Sequence, residues 1–480
     1  MGVHVGSPSP REANLDLLAC ALAADSLGAG ELGDAEDACD HLGQLVSSKD
    51  WTETRVVPDG LIEAVSSSMC AGAGGTPQLR KASSVLWTLA LGGAEYQAKV
   101  IKAGGIEALL LAMRADPQSA DLQEEACGAL GTLAASDASR AKIASAGGIR
   151  LVADAMRAHA AWPGVQEKAC GALGNLATEN ADNQHEVARV DGISLILDAM
   201  QAHPQCCCVL ENACAALWSL SANCDENKLR IAGLDGIRSV VDAMRSHPQS
   251  ARVQEKGCGA LRNLAAHAAS QPELGRAGGL EVILQSMSLF RGSAAVQKEA
   301  CGALQNFAGT QENQLNIATS GAIGEILTAM RTHSGSACVQ EAACGALGNL
   351  AVDDGNQAGL VSAGGIDAVV VAMQAHLESE GVQEKACGAL GNIAAGNADS
   401  QMRTICAGGI NAVLQAVKAH SQSHKVLLNA ECVLRNLAAN FVSVARSARQ
   451  GDRRRPGADG EGGGDVVGAG VPDAKRQRIA

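Results

Sequence analysis

At 480 residues the chain is long enough for three ordinary domains, its formal net charge is −13 at pH 7, and it holds only four tryptophans, one tyrosine and three phenylalanines. The acidic balance argues against nucleic acid as the main ligand, because phosphate binding is driven by Lys and Arg, and no apolar stretch reaches the roughly 18 residues that a membrane span needs. With so few aromatics, a core must be built from Ala, Leu, Val, Ile, Gly and Cys.

Taken in chain order, residues 1–30 come first. The apolar segment from Leu17 to Ala24 follows Glu12 and Asp16 and lacks a basic start, so no signal peptide is expected. Gly2 follows Met1, but Gly6 stands where a myristoylation signal requires Ser or Thr. The stretch from Ala13 to Asp25 is predicted to form a helix that caps the first repeat.

From residue 31 to 448 the sequence repeats. VQEKACGALGNLA at 165–177 returns as VQEAACGALGNLA at 339–351 and as VQEKACGALGNIA at 382–394. Equivalent positions are Cys39, Ser83, Cys127, Cys170, Cys214, Cys258, Cys301, Cys344, Cys387 and Glu431, each 43 or 44 residues from the next. A fixed period of this size marks a helical solenoid, whose units bury their apolar faces only by stacking on neighbours. Within one unit, Val165, Ala169, Leu173 and Leu176 recur at helical spacing and predict a helix of three to four turns. TENADNQ is read as a loop, HEVARV as a short second helix and DGISLILDAMQAH as a third, with Asp191-Gly192, Gly-Gly in other repeats, at the turn between them. The fold predicted is all-α, an α-α solenoid of nine to ten three-helix repeats.

This wording, a helix ending in ALGNLA, then N-Q, a short helix, A-G-G-I and a closing apolar helix, resembles the armadillo repeat. It is similar to armadillo proteins of protists, to the armadillo repeat-containing protein 6 group and to the armadillo region of leucine-rich-repeat kinases. The resemblance implies a right-handed α-α superhelix acting as a non-catalytic protein-interaction scaffold, without cofactor or metal. It also implies that the helix matching VQEKACGALGNLA lines a concave groove, with an amide ladder at Thr88, Thr132, Asn175, Ser219, Asn263, Asn306, Asn349, Asn392 and Asn436. An amide offers a donor and an acceptor, so it can hold the main chain of an extended partner or tie down a loop of its own protein.

A second row, Glu124, Glu167, Glu211, Glu255, Glu341 and Glu384, lies eight residues before the amides. It is expected either to favour a basic extended segment or to form a solvated flank neutralised by Lys168, Lys256 and Lys385. Importin-α, the nuclear transport adaptor of the family, carries Trp four residues before the Asn. Here those positions are Ser84, Gly128, Gly171, Ala215, Gly259, Gly302, Gly345, Gly388 and Cys432, which disfavours that alternative. The glycines at 171 and 174 and their equivalents are read as places where a neighbouring helix comes close.

The remaining rows are read as structural. The cysteine ladder is expected to be buried, reduced and inert, while Cys206, Cys207 and Cys208 are placed in an inter-repeat loop matched by Cys338. His159, His203, His247, His333, His376 and His420 close the third helices and are expected to cap them. There is no P-loop, G-x-S-x-G or HExxH motif, so no enzyme is expected.

Residues 449–480 change character, rich in Gly and charge, and a disordered tail is expected. Lys475, Arg476 and Arg478 form a nuclear-signal candidate, so the chain is expected in the cytoplasm with entry to the nucleus. A monomer that binds an extended or helical segment of a protein partner on the concave groove, with neither nucleic acid nor a membrane anchor, is the expectation.

Overall fold

A computed structural model describes residues 59–70 and 75–452, and these group into two compact units that divide after His247. The expected capping helix at 13–25, the repeat around Cys39 and the basic cluster at 475–478 lie outside the described residues. All secondary structure among the described residues is helical.

The first unit opens with helix Asp59–Cys70. Four three-helix repeats follow: Thr76–Leu91, Ala94–Lys102 and Gly105–Ala115; Ala120–Leu133, Asp137–Ser145 and Gly148–Ala158; Pro163–Ala177, Ala181–Arg189 and Gly192–Ala202; Cys207–Ser221, Asp225–Gly233 and Gly236–Ser246. The second unit holds four more, beginning at Ala251–Ala265, Ala294–Phe307, Ala337–Leu350 and Glu380–Ile393, and ends in the single helix His424–Asp452. That last helix contains residues 449–452, which the sequence pattern assigns to the tail.

Each long helix is the VQEKACGALGNLA segment, and within a unit these helices pack side by side as one layer. Val165, Ala169, Cys170, Leu173 and Leu176 are fully buried, as the helical spacing requires. Burying one such leucine stabilises by roughly 1.5–3 kcal/mol, and the same stripe recurs in every repeat. Ser250, Ser293 and Ser379 start their long helices as N-caps, accepting from the N–H three residues on.

The second helix begins earlier than HEVARV. It runs Ala181–Arg189, because the Asn180 side chain accepts from Asn183 N–H and caps it. At the following turn the two residues of the Gly-Gly or Asp-Gly pair do different work. The first is left-handed, as at Gly147 (φ 83°) and Asp191 (φ 60°). The second leaves little room for a side chain, since a Cβ on Gly192 would sit 2.6 Å from Val187 Cγ1 and 2.9 Å from its carbonyl oxygen; only the smallest, at Ala322, takes its place.

The cysteine ladder lies inside the stack. Cys127, Cys170, Cys214, Cys258, Cys301, Cys344 and Cys387 are fully buried, and all described cysteines are free thiols. Burial pushes the Cys127, Cys214, Cys301 and Cys387 thiols up to about 12. It raises Cys170 and Cys344 as well, with thiols of adjacent repeats adding to the effect. Cys206 proves to be a helix N-cap residue and Cys207 and Cys208 the first turn of Cys207–Ser221, not a free loop; Cys338 likewise lies inside a first turn.

Candidate functional site

The open face of the long-helix layer carries the amide ladder, and the structure gives these amides partners. Asn175 Nδ2 donates to Gly131 O at 2.9 Å, Asn306 to Arg262 O at 2.8 Å, Asn349 to Gln305 O at 2.8 Å, Asn392 to Gly348 O at 2.9 Å and Asn436 to Gly391 O at 2.9 Å. Each amide therefore hooks onto the main chain of the preceding long helix, one repeat back. Asn349, Asn392 and Asn436 are only 5%, 2% and 5% exposed, whereas Asn175 is exposed and Asn263 and Asn306 are half-buried. Asn175 thus keeps its carbonyl oxygen and one N–H toward solvent. Thr132 and Ser219, its equivalents on either side, are half-buried hydroxyls.

In the acidic row, Glu124, Glu341 and Glu384 face the N-terminus of the next long helix. A side chain on Gly164 would collide with the Glu124 carboxylate, and one on Gly381 with that of Glu341. Glu384 lies 3.7 Å from Lys425, in the first turn of the last helix. A carboxylate near a helix N-terminus is stabilised by the unpaired N–H groups there. Glu167 pairs with Lys168, Glu255 with Lys256 at 2.7 Å and Glu384 with Lys385 at 3.3 Å. Glu211 is half-buried on the same row. Trp162 Nε1 also donates to Glu124 Oε2 at 3.2 Å.

Access to this face is set by the residue just before each ladder position. Trp87, Arg262 and Gln305 lean over the next repeat and cover Gly128, Gly302 and Gly345, all three of which are buried. A Cβ on Gly128 would meet the Trp87 ring at 2.8 Å, and one on Gly302 would meet Arg262 Cδ at 2.7 Å. Trp87 is further held by its Nε1–H on Thr132 Oγ1 at 3.1 Å and by Lys168 Nζ, 5.2 Å from the ring centroid. Where the covering residue is Gly131 or Gly174, the next helix moves in: a Cβ would lie 3.1 Å from Ala172 Cα and 2.9 Å from Ala216 Cα. In those repeats Gly171 and Ala215 remain half-exposed. The close approach inferred from these glycines is thus made by the neighbouring helix.

Two further rows bind the repeats together. His159, His203, His247, His333, His376 and His420 occupy C-cap positions, and each ring Nε2–H donates to a main-chain carbonyl of the preceding repeat, from 2.7 Å at His333 to 3.2 Å at His247. The other row, the glutamine of V-Q-E, escaped the sequence reading. Gln166, Gln297, Gln340 and Gln383 are buried, and each donates both Nε2 hydrogens to the end of the preceding closing helix; for Gln340 the acceptors are Met330 O at 2.8 Å and His333 O at 2.9 Å. The signal was available: a glutamine recurs directly after the buried valine or leucine at 123, 166, 254, 297, 340 and 383.

No group of three or more His, Cys, Asp or Glu side chains among the described residues is placed to hold a metal ion, and no single helix there is long and apolar enough to cross a membrane.

Comparison with known proteins agrees with this architecture. A family model described as LRRK2 ARM repeat matches residues 277–455, and one described as Armadillo/beta-catenin-like repeat matches residues 94–135. No curated protein matches the sequence. Among solved structures, that of an engineered protein superposes with a TM-score of 0.71 at 23% identity, covering 88% of this chain and 99% of its own. A structure reported for the interaction between cadherin and beta-catenin covers 90% of this chain and 92% of its own at 17% identity, with a TM-score of 0.49. The repeats between the two matched segments have the same three-helix plan and the same buried stripe, so the repeats of this chain are of the armadillo type, stacked in each unit as an α-α solenoid.

Proposed function

We propose that this protein is a non-catalytic scaffold that holds an extended partner segment on the open face of the long-helix layer of the first unit. Thr132, Asn175 and Ser219 are the anchoring row. The observation that carries this reading is the state of Asn175. Its Nδ2 is fixed on Gly131 O, which orients the amide, while its Oδ1 has no protein partner among the described residues. A main-chain N–H of an extended partner fits that acceptor whatever the partner's sequence.

A basic partner is favoured by the net charge of −13 and by the carboxylates along the flank, although lysines pair Glu167, Glu255 and Glu384. The transport-adaptor alternative has no feature in its favour, since small residues replace the Trp positions. Entry to the nucleus through Lys475, Arg476 and Arg478 belongs to the same proposal, and a fluorescent fusion of residues 449–480 that stays outside nuclei would end it.

The test is affinity isolation from cell lysate with three baits: the unaltered protein, Asn175→Ala and Asn349→Ala. Partners lost with Asn175→Ala at unchanged helical content support the proposal. Partners retained by Asn175→Ala would move the binding surface elsewhere, and loss with Asn349→Ala alone would mark it as an effect of stacking.

A further inference from the structure

We propose that the protein pairs with a second copy of itself through the open side of its last helix, His424–Asp452, in an antiparallel, two-fold arrangement. In the preceding repeat the side of the long helix that faces its successor is marked by Glu384, Cys387 and Gly391. Glu384 reaches Lys425 of the last helix, Cys387 is buried, and a Cβ on Gly391 would touch Cys432 Sγ at 3.6 Å and Val433 Cγ2 at 3.7 Å. In the last helix the same register positions are Leu428, Glu431 and Arg435. No further repeat follows among the described residues, and this stripe is open: Leu428 is 43% exposed, and the side chains of Arg435 and Glu431, joined as an ion pair, are 65% and 64% exposed.

Closing a solenoid requires only a polar outer face. Replacing the charged residue of the earlier repeats, Glu in most and Lys298 or Arg80 in two, by Leu428 goes the opposite way and sets an apolar side chain on the end. The charges name its occupant. One turn apart on one helix, Glu431 and Arg435 are complementary to themselves about a two-fold axis level with residue 433. That axis places Glu431 against Arg435 of the partner subunit, and Leu428 against Ala438 of the partner subunit, which is also exposed. A two-fold contact of this kind closes on itself and yields a dimer rather than a filament. The helix is long enough to support it: its 29 residues span about 44 Å, twice the length of the 14- and 15-residue long helices before it.

Sedimentation of the full chain over a concentration series tests the pairing. The unaltered protein is expected to show a concentration-dependent monomer–dimer equilibrium. Glu431→Arg and Arg435→Glu each bring like charges together across the axis and are expected to weaken the dimer about tenfold or more. The double reversal, E431R with R435E, restores opposite charges and is expected to return the affinity to near its original value. Both altered positions are exposed, and circular dichroism verifies that each variant is folded. A monomer at every concentration overturns the proposal, as does a dimer that single reversals leave intact or that the double reversal fails to restore.

Discussion

Replacing Gln340 by Met tests the reading that buried amides, and not apolar packing alone, tie each long helix to the closing helix before it. Gln340 is 2% exposed and donates to Met330 O and His333 O. Methionine keeps the length and volume of the side chain and removes both donors. Each carbonyl left without a partner in a buried layer costs about 1–3 kcal/mol. The bond to Met330 O is buried and that to His333 O partly buried, so water relieves the second more easily. The expected loss is about 2–4 kcal/mol, with Gln340→Glu at least as damaging because a carboxylate cannot donate. Repeat arrays can unfold piecewise, so the assay is urea unfolding together with native-state hydrogen exchange resolved to helix Ala337–Leu350. A loss below about 0.5 kcal/mol by both measures would show that the glutamine row contributes nothing beyond its volume.

Three further outcomes are expected. Gly174→Ala drives a methyl to 2.9 Å from Ala216 Cα and should destabilise by about 1–3 kcal/mol, whereas Gly324→Ala, on helix Ala322–Thr332 with open space around it, should stabilise by about 0.5–1 kcal/mol; thermal unfolding of the pair checks both signs. His333→Ala removes the 2.7 Å bond to Arg291 O and should cost about 0.5–1.5 kcal/mol by the same measurement. The ladder thiols have folded values raised to about 12 from an ordinary 9.0, so the unfolded chain releases their protons first. Their contribution is full below pH 9 and lost as pH rises toward 12, so unfolding free energy should fall steeply across that window. A thiol reagent at neutral pH should meanwhile reach the exposed Cys70, Cys208, Cys338 and Cys406 but not the ladder. A flat alkaline profile would contradict the thiol reading.

The fold was legible because its signal is doubly periodic: a helical stripe at Val165, Ala169, Leu173 and Leu176, itself repeated every 43 or 44 residues. The start of Ala181–Arg189 was missed because its polar first turn, capped by Asn180, has the composition of a loop. The amide and carboxylate rows were found as positions, but not as bonds. Asn349 reaches a main-chain carbonyl 44 residues back and Glu384 a helix end about 40 residues on, and a periodic sequence shows only that such positions recur, not which neighbour they face. Gln340 was passed over for a related reason: beside a valine on a buried stripe, one polar residue reads as the edge of the apolar face until its two acceptors are seen.

The recurring asparagine and histidine bonds between repeats end on main-chain carbonyls. Asn392 needs a carbonyl at 348 and His376 one at 334, and any residue can supply it. A repeat therefore carries its own means of attachment and makes few demands on the identity of the repeat before it, apart from the covering residue at positions such as Trp87, which must find a glycine in its neighbour. Copying a whole repeat in tandem consequently gives a unit that already fits the one ahead of it. An array with these joints can lengthen without inventing a new interface, and its adjacent repeats can then diverge on the open face while the joints stay fixed.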